Sequence, residues 1–213
     1  MTVTLVDHMG SDLSVVNAAR VSFAKVHDEF KDEADTKLIR YLAKHNHWSP
    51  FGHASLQFHI RAPVFVARQL VKHQVGLTWN EVSRRYVDIE PEFFPPETWR
   101  GSAENKKQGS SEEEIDINPR HDMVDDYQKV LSTAKWTYEE LLRKGVCPEQ
   151  ARMVLPQSMM TEWYWSGTLY AFARVCNLRC KDDAQRETQD VGWNIDKHAR
   201  ELFPSSWRAL RDE

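Results

Sequence analysis

The sequence predicts an α+β domain, because several long segments carry helical apolar periodicity, a few strand-like stretches stand apart from one another, and the two never alternate regularly as in a doubly wound sheet. At 213 residues the chain is long enough for one sizeable core and short for two, so 1–213 is read as a single domain.

The elements follow in order. Thr2 to Val6 reads as a strand, and Ser11 offers an N-cap for a helix through Leu13, Val16, Ala19 and Arg20. A second helix covers Ala34 to His45 and is broken at Pro50 and Gly52. Leu56 to Ile60 alternates apolar with polar as a half-buried strand does, and Pro63 suits the first turn of a helix from Val64 to His73. From Arg100 to Arg120 the composition turns to Gly, Ser, Lys and Glu, which reads as a surface loop. Asn118 and Pro119 suit the cap and first turn of a long helix presenting Met123, Tyr127, Val130, Ala134, Tyr138 and Leu141 on one face, with Gly145 as its stop. Glu162 to Trp165 reads as a strand, followed by a helix from Thr168 to Asn177. Asp182 with Gln185 resembles a capping box opening the last helix, whose stripe is Thr188, Val191, Ile195, Ala199 and Leu202.

A formal charge of -4 gives no general attraction to nucleic acid or to an anionic membrane, so an anionic ligand must meet a local basic site. No segment reads as a signal peptide or approaches a membrane span, and the expected location is the cytoplasm, the host's if the chain is virus-encoded. Cys147, Cys176 and Cys180 form no CxxC motif and read as buried or incidental thiols. His45, His47, His53 and His59 match no compact ligand spacing, so no metal site is expected.

On the helix from Val64 to His73, Arg68 with Lys72 and Gln69 with His73 sit four apart on one polar stripe, while apolar residues cover the rest. Such groups on a mostly buried helix need partners, either an anionic ligand or internal salt bridges. Asn80, Glu81, Ser83, Arg84, Arg85 and Tyr86 then place six hydrogen-bonding groups in seven positions, which suits a phosphate and a ribose or base, or a solvated turn. Arg152 and Arg179 each read as a surface residue, a structural ion pair, or a ligand to a phosphate or a pyrimidine imide. A cation beside that imide favours its anion and activates the ring towards electrophiles.

Taken in sequence order, NAARVSF, HWSPFGHASLQFHI, APVFVARQLVKH, the run from Asn80 to Tyr86, ARMVLP and NLR-x4-AQ-x-E resemble the flavin-dependent thymidylate synthases across nearly the whole chain. The resemblance implies long helices packed on a small, mostly antiparallel sheet. It implies a methyltransferase converting dUMP to dTMP, with methylenetetrahydrofolate as carbon donor and FAD, reduced by NADPH, as hydride source. The implied assembly is a homotetramer with shared active sites. By similarity Ser22, Ser49, Lys72, His73, Gln74 and Glu81 match FAD positions; Arg174 and Asp183 do so with altered residue types. Gln69, Lys72, Glu81, Ser83, Arg84, Arg85, Arg152 and Arg179 match dUMP positions, and Arg179 is the implied catalytic residue that ionises N3 of uracil.

The sequence also departs from that family. Its usual Arg-His-Arg, followed by seven residues and Ser, is here Lys72, His73, Gln74 and eight residues before Ser83. Gly52 replaces a commonly acidic residue, and Arg84 replaces a glycine. Lys72 keeps charge without a guanidinium's bidentate fork, and Gln74 loses the cation. Three alternatives therefore stand beside the implied reaction: hydroxymethyl transfer, action on another pyrimidine nucleotide, and an inactive nucleotide-binding homologue.

Overall fold

The computed structural model describes residues 1–103, 110–115 and 123–211. Their order is β1 (Thr2–Met9), α1 (Asp12–Arg20), α2 (Asp32–Lys44), β2 (Ser55–Pro63), α3 (Val64–Leu70), β3 (Leu77–Glu81), β4 (Arg100–Ser102), β5 (Ser110–Glu114), α4 (Met123–Arg143), α5 (Pro148–Ala151), β6 (Met160–Thr168), α6 (Leu169–Arg179), α7 (Arg186–Leu202) and α8 (Pro204–Leu210). Short 3-10 turns occupy Val21–Phe23, Ser49–His53 and Arg152–Val154. None of the described helices is long and apolar enough to cross a membrane.

The main sheet is antiparallel in the order β1-β2-β6-β3. Period-two alternation explains its faces: Leu56, Phe58, Ile60 and Ala62 of β2, and Trp163 and Trp165 of β6, all point into the core. Phe58 lies opposite Trp165 and Ile60 opposite Trp163. Trp79 of β3 stacks on Trp163 with ring centroids 4.4 Å apart and meets Trp165 edge-on at 5.5 Å. Each fully buried aromatic here contributes on the order of 3 kcal/mol of gross hydrophobic stabilisation.

Helices α3, α6 and α7 supply the covering layer, and α6 is buried nearly all round through Leu169, Phe172, Ala173, Val175 and Cys176. The Thr168 side chain caps α6 by accepting from the Ala171 N–H at 3.2 Å. Thr188, Val191, Ile195 and Ala199 form the buried stripe of α7, as their spacing predicts, whereas Leu202 is only half-buried. Cys176 and Cys180 are buried free thiols and Cys147 is an exposed one. Gly145, at φ +84, ends α4: its N–H donates to the Leu142 carbonyl and the Val146 N–H to that of Leu141.

Several elements differ from the sequence reading. The third helix stops at Leu70 instead of His73, because the His73 N–H turns back to the Leu70 carbonyl and the chain then doubles into β3. Lys72 and His73 therefore leave the helical stripe. The polar run read only as a ligand segment begins inside a strand, LTWNE, whose alternation is masked by two polar outward positions. α4 turns Leu131 and Tyr138 inward, and Met123 and Val130 are exposed. Gln185, not Asp182, is the N-cap of α7, since Lys181 to Ala184 closes a separate turn. The stretch read as a surface loop contains the β4-β5 hairpin, tied down by Arg100, which donates to Ser110 Oγ at 2.8 Å and to Glu187 at 2.7 Å. The expected Asn118 and Pro119 cap lies outside the described residues. The sequence reading has no counterpart for α8, whose first N–H groups, those of Ser205 and Ser206, each donate to the Asp12 carboxylate at 2.8 Å.

Candidate active site

One short stretch, from Val64 to Arg85, carries most of the expected ligand-binding residues. Its entry is fixed by backbone: the first N–H groups of α3, those of Val64 and Phe65, donate to the carbonyls of Met159 and Gln157 instead of to a side-chain cap. On the other flank, the Met160 N–H donates to Glu92 and the Phe94 N–H to Ser158. These pairings wall a cavity of about 540 Å³ between α3, residues 81–92 and residues 152–162.

Arg61, Arg68, Arg84, Arg152 and Glu81 line that cavity. Arg61 is paired with Glu92 at 2.6 Å. Arg84, only 8% exposed, donates to the Ile89 carbonyl at 2.6 Å and sits 5.8 Å over the Tyr138 ring, so its guanidinium is part of the wall. Arg152 makes one long contact, 3.3 Å to the Glu149 carbonyl, and Arg68 has no carboxylate partner among the described residues. Glu81 closes β3, where strand alternation puts it on the same face as Trp79. Its carboxylate accepts from Thr161 Oγ1 at 2.7 Å and from Trp79 Nε1 at 3.2 Å, so it is held still. Two uncommitted guanidiniums beside a fixed carboxylate suit a ligand carrying both a phosphate and hydroxyls.

The next residue of α3, Gln69, belongs to a second cluster. Arg179, in the last turn of α6, donates through Nε to Nε2 of His73 at 3.0 Å and through a terminal nitrogen to the Gln69 carbonyl at 3.4 Å. The Gln69 side-chain amide is hydrogen-bonded to Gln185. Burial, then the nearby charges of Arg179 and Arg174, push the His73 imidazole down to about 4, so it is neutral near pH 7. Burial also lowers the Arg179 guanidinium from its ordinary value, yet it remains a cation.

The remaining sequence-derived positions are more dispersed. Ser83 Oγ accepts from Arg85 N at 3.4 Å and Nε at 3.5 Å, while the Arg85 guanidinium lies 5.0 Å over the exposed Tyr86 ring. Lys72, Gln74 and Arg174 are exposed close to His73 in sequence or charge. Ser22 and Ser49 are exposed on separate 3-10 turns, and Asp183 is exposed in the turn before α7. The chain thus brings Gln69, His73 and Arg179 into contact and Glu81, Arg84 and Arg152 around one cavity, but leaves Ser22, Ser49 and Asp183 outside both. Arg68, Thr161 and Gln185 carry no ligand role in the sequence motifs. The polar stripe of α3 pointed to the first and the AQ-x-E motif contained the last, whereas nothing marked Thr161.

The model of the family described as thymidylate synthase complementing protein matches residues 4–205. The flavin-dependent thymidylate synthase of one Thermus thermophilus strain is 38% identical over 210 residues, covering 99% of this chain and 75% of the relative. That of Thermotoga neapolitana is 40% identical over 209 residues, covering 98% and 89%. Among solved structures, the UMP/dUMP methylase PolB from Streptomyces cacaoi bound with 5-Br dUMP superposes with a TM-score of 0.87 at 32% identity, covering 99% of this chain and 94% of that one. The same methylase bound with 5-Br UMP gives 0.83 at 30% identity. Fold and kinship together define the chain as an enzyme, a methyltransferase. Within that class it belongs to the flavin-dependent thymidylate synthase family.

Proposed function

We propose that the chain methylates dUMP to dTMP, with methylenetetrahydrofolate as carbon donor and FAD, reduced by NADPH, as hydride source. The observation that carries this reading is that Arg68 and Gln69, neighbours on α3, face two cationic arrays: a cavity with Arg152 and Glu81, and a cluster centred on Arg179. The first array suits the phosphate and ribose, with Ser83 and Arg85 at its margin. The second offers a fixed cation to the pyrimidine imide.

The chemistry expected of Arg179 is electrostatic. A guanidinium beside N3 and its carbonyls stabilises the imide anion, which raises electron density at C5 without a covalent adduct. No thiol is required, which agrees with Cys176 and Cys180 lying buried in the core. When bound, reduced FAD supplies the hydride that completes the methyl group. The residues present fit a dinucleotide: Lys72 and Arg174 are exposed cations without a carboxylate partner among the described residues, and Ser22, Ser49, His73, Gln74, Glu81 and Asp183 offer polar contacts. Gln74 gives a phosphate an amide where a guanidinium is usual, so cofactor affinity depends more heavily on Lys72 and Arg174.

The working assembly is a homotetramer with sites shared between protomers. Supporting this, Phe23, Val75, Tyr86 and Met153, each 73–77% exposed in the single chain, lie beside Ser22, Gln74, Arg85 and Arg152 in sequence. Large apolar side chains left exposed around a binding region favour burial against a second copy.

A second reading, UMP as an additional substrate, is supported by the likeness to a UMP/dUMP methylase solved with both brominated nucleotides. Mass analysis of products after anaerobic incubation with dUMP or UMP, methylenetetrahydrofolate, FAD and NADPH separates the outcomes. A gain of one methyl on dUMP, absent in Arg179→Ala, supports the principal reading. Methylated UMP supports the second; a hydroxymethyl product or unchanged nucleotide refutes both.

A further inference from the structure

A guanidinium aimed before the nucleotide arrives meets the imide without an ordering cost, and the structure holds Arg179 at Nε. The acceptor is Nε2 of His73, 3.0 Å away. A neutral imidazole accepts at one nitrogen and carries its proton on the other, and an imidazolium accepts at neither. We propose that His73 is a positioning residue: as the neutral imidazole protonated at Nδ1, it accepts the Arg179 Nε–H and so leaves the terminal N–H groups to face the pyrimidine imide. This inference rests on the dUMP reading for the identity of that imide.

Three further observations support it. The Gln69 carbonyl takes a second Arg179 N–H at 3.4 Å, and the Gln69 side chain is tied to Gln185. The Gln185 backbone is held at the N-cap of α7, where its carbonyl accepts the N–H groups of Thr188 and Gln189. Two of the five guanidinium N–H groups are thus engaged by the protein and three remain for a ligand. Burial and the Arg179 and Arg174 charges keep the ring unprotonated to about pH 4, so the acceptor persists through the neutral range. Fixing a long arginine in advance removes the ordering that the ligand would otherwise have to impose.

The test uses the full chain and begins without activity. Nitrogen NMR of protein labelled with ¹⁵N-histidine, with the His73 signals identified by their loss in His73→Gln, should show Nδ1 protonated and Nε2 bare at pH 7. A proton on Nε2 overturns the inference. In turnover assays at saturating FAD, both variants lose the imidazole's contact with the flavin, and His73→Gln, whose amide oxygen can stand in for Nε2, should keep a kcat about 10-fold or more above that of His73→Ala, with little difference in nucleotide KM. Equal loss in both variants, or loss in neither, refutes positioning; melting curves ensure that both variants are folded. If the wild type returns dUMP unmodified, the dUMP reading falls, and the tautomer measurement still decides the role of His73.

Discussion

Replacing Gly167 by alanine should loosen β3 and the carboxylate that it carries. A Cβ built at Gly167 lies 2.5 Å from the Gly76 carbonyl oxygen, 2.5 Å from Leu77 Cδ2 and 3.2 Å from Leu77 Cα. Leu77 can turn its terminal methyl away, but the Gly76 oxygen is backbone and accepts the Thr168 N–H at 3.1 Å. Relief therefore requires the turn before β3 to retreat by about an ångström, stretching that hydrogen bond as well. Overpacking costs about 1–3 kcal/mol and a weakened buried hydrogen bond about 1 kcal/mol, so a loss of roughly 2–3 kcal/mol is expected. For a chain of this length that is a fall in Tm of about 4–12 °C. Urea or thermal unfolding measures it, and nucleotide titration measures the consequence at Glu81, which should appear as weaker binding. A Gly167→Ala protein with unchanged Tm and unchanged nucleotide affinity would refute the close approach of β6 and β3 as the device that places Glu81.

Three other expectations follow from named contacts. Asp12→Ala removes the acceptor for two N–H groups at the start of α8 and should cost about 1–2 kcal/mol in urea unfolding, with little effect on nucleotide binding. The folded-state pKa of His73 is depressed to about 4, so as pH falls from about 6.5 the unfolded chain takes up a proton that the folded one refuses. Stability is lost between those limits and no further below them; the full shift is worth about 3 kcal/mol, and solvent screening of this partly buried ring reduces it to about 1–2 kcal/mol. Comparing unfolding of wild type and His73→Gln at pH 7 and pH 4 isolates that contribution, and equal losses in the two proteins would contradict it. Changing each cysteine singly to serine should leave turnover of folded protein intact, and loss of turnover at any one position without loss of folding would implicate a thiol.

The fold was legible where one periodicity dominated. Leu56 to Ile60 alternates cleanly and is a core strand, while Thr188, Val191, Ile195 and Ala199 repeat at helical spacing and are buried. It was not legible where local signals competed with tertiary ones. From Val64 to His73 the apolar pattern continues a helix, but the backbone leaves it at Leu70 because β3 must return to pair with β6, a contact about ninety residues away in sequence that no local window contains. α8 escaped notice for a related reason: its cap, Asp12, lies 194 positions from Ser206.

The site divides in the same way. Residue type leaves Gln69, His73, Glu81, Arg152 and Arg179 open between ligand contacts and structural ones, and only the resemblance nominates His73 for the flavin and the others for the nucleotide. Order does not reveal which of them are free. Arg84 and Arg152 look alike in sequence, yet Arg84 is buried in the cavity wall, anchored by the Ile89 carbonyl and set over Tyr138, whereas Arg152 is exposed and makes one long contact to the Glu149 carbonyl. Nor does order reveal what aims a side chain: Thr161 fixes Glu81 and Gln185 fixes Gln69, each reached only through the folded sheet or the α6-α7 junction. This difference bears on the altered signature. In the proposed cofactor role, the exposed Lys72 and Gln74 form a rim beside His73 that offers FAD one cation and one amide, but the contacts that hold Arg179 run through His73, Gln69 and Gln185, and neither altered residue is among them. Substitution at the rim should therefore alter cofactor affinity more than the pull on the pyrimidine ring: Gln74→Arg should tighten FAD binding in a flavin titration while leaving kcat at saturating FAD within about threefold. A large change in kcat at saturation would mean that the rim and the Arg179 array act as one unit.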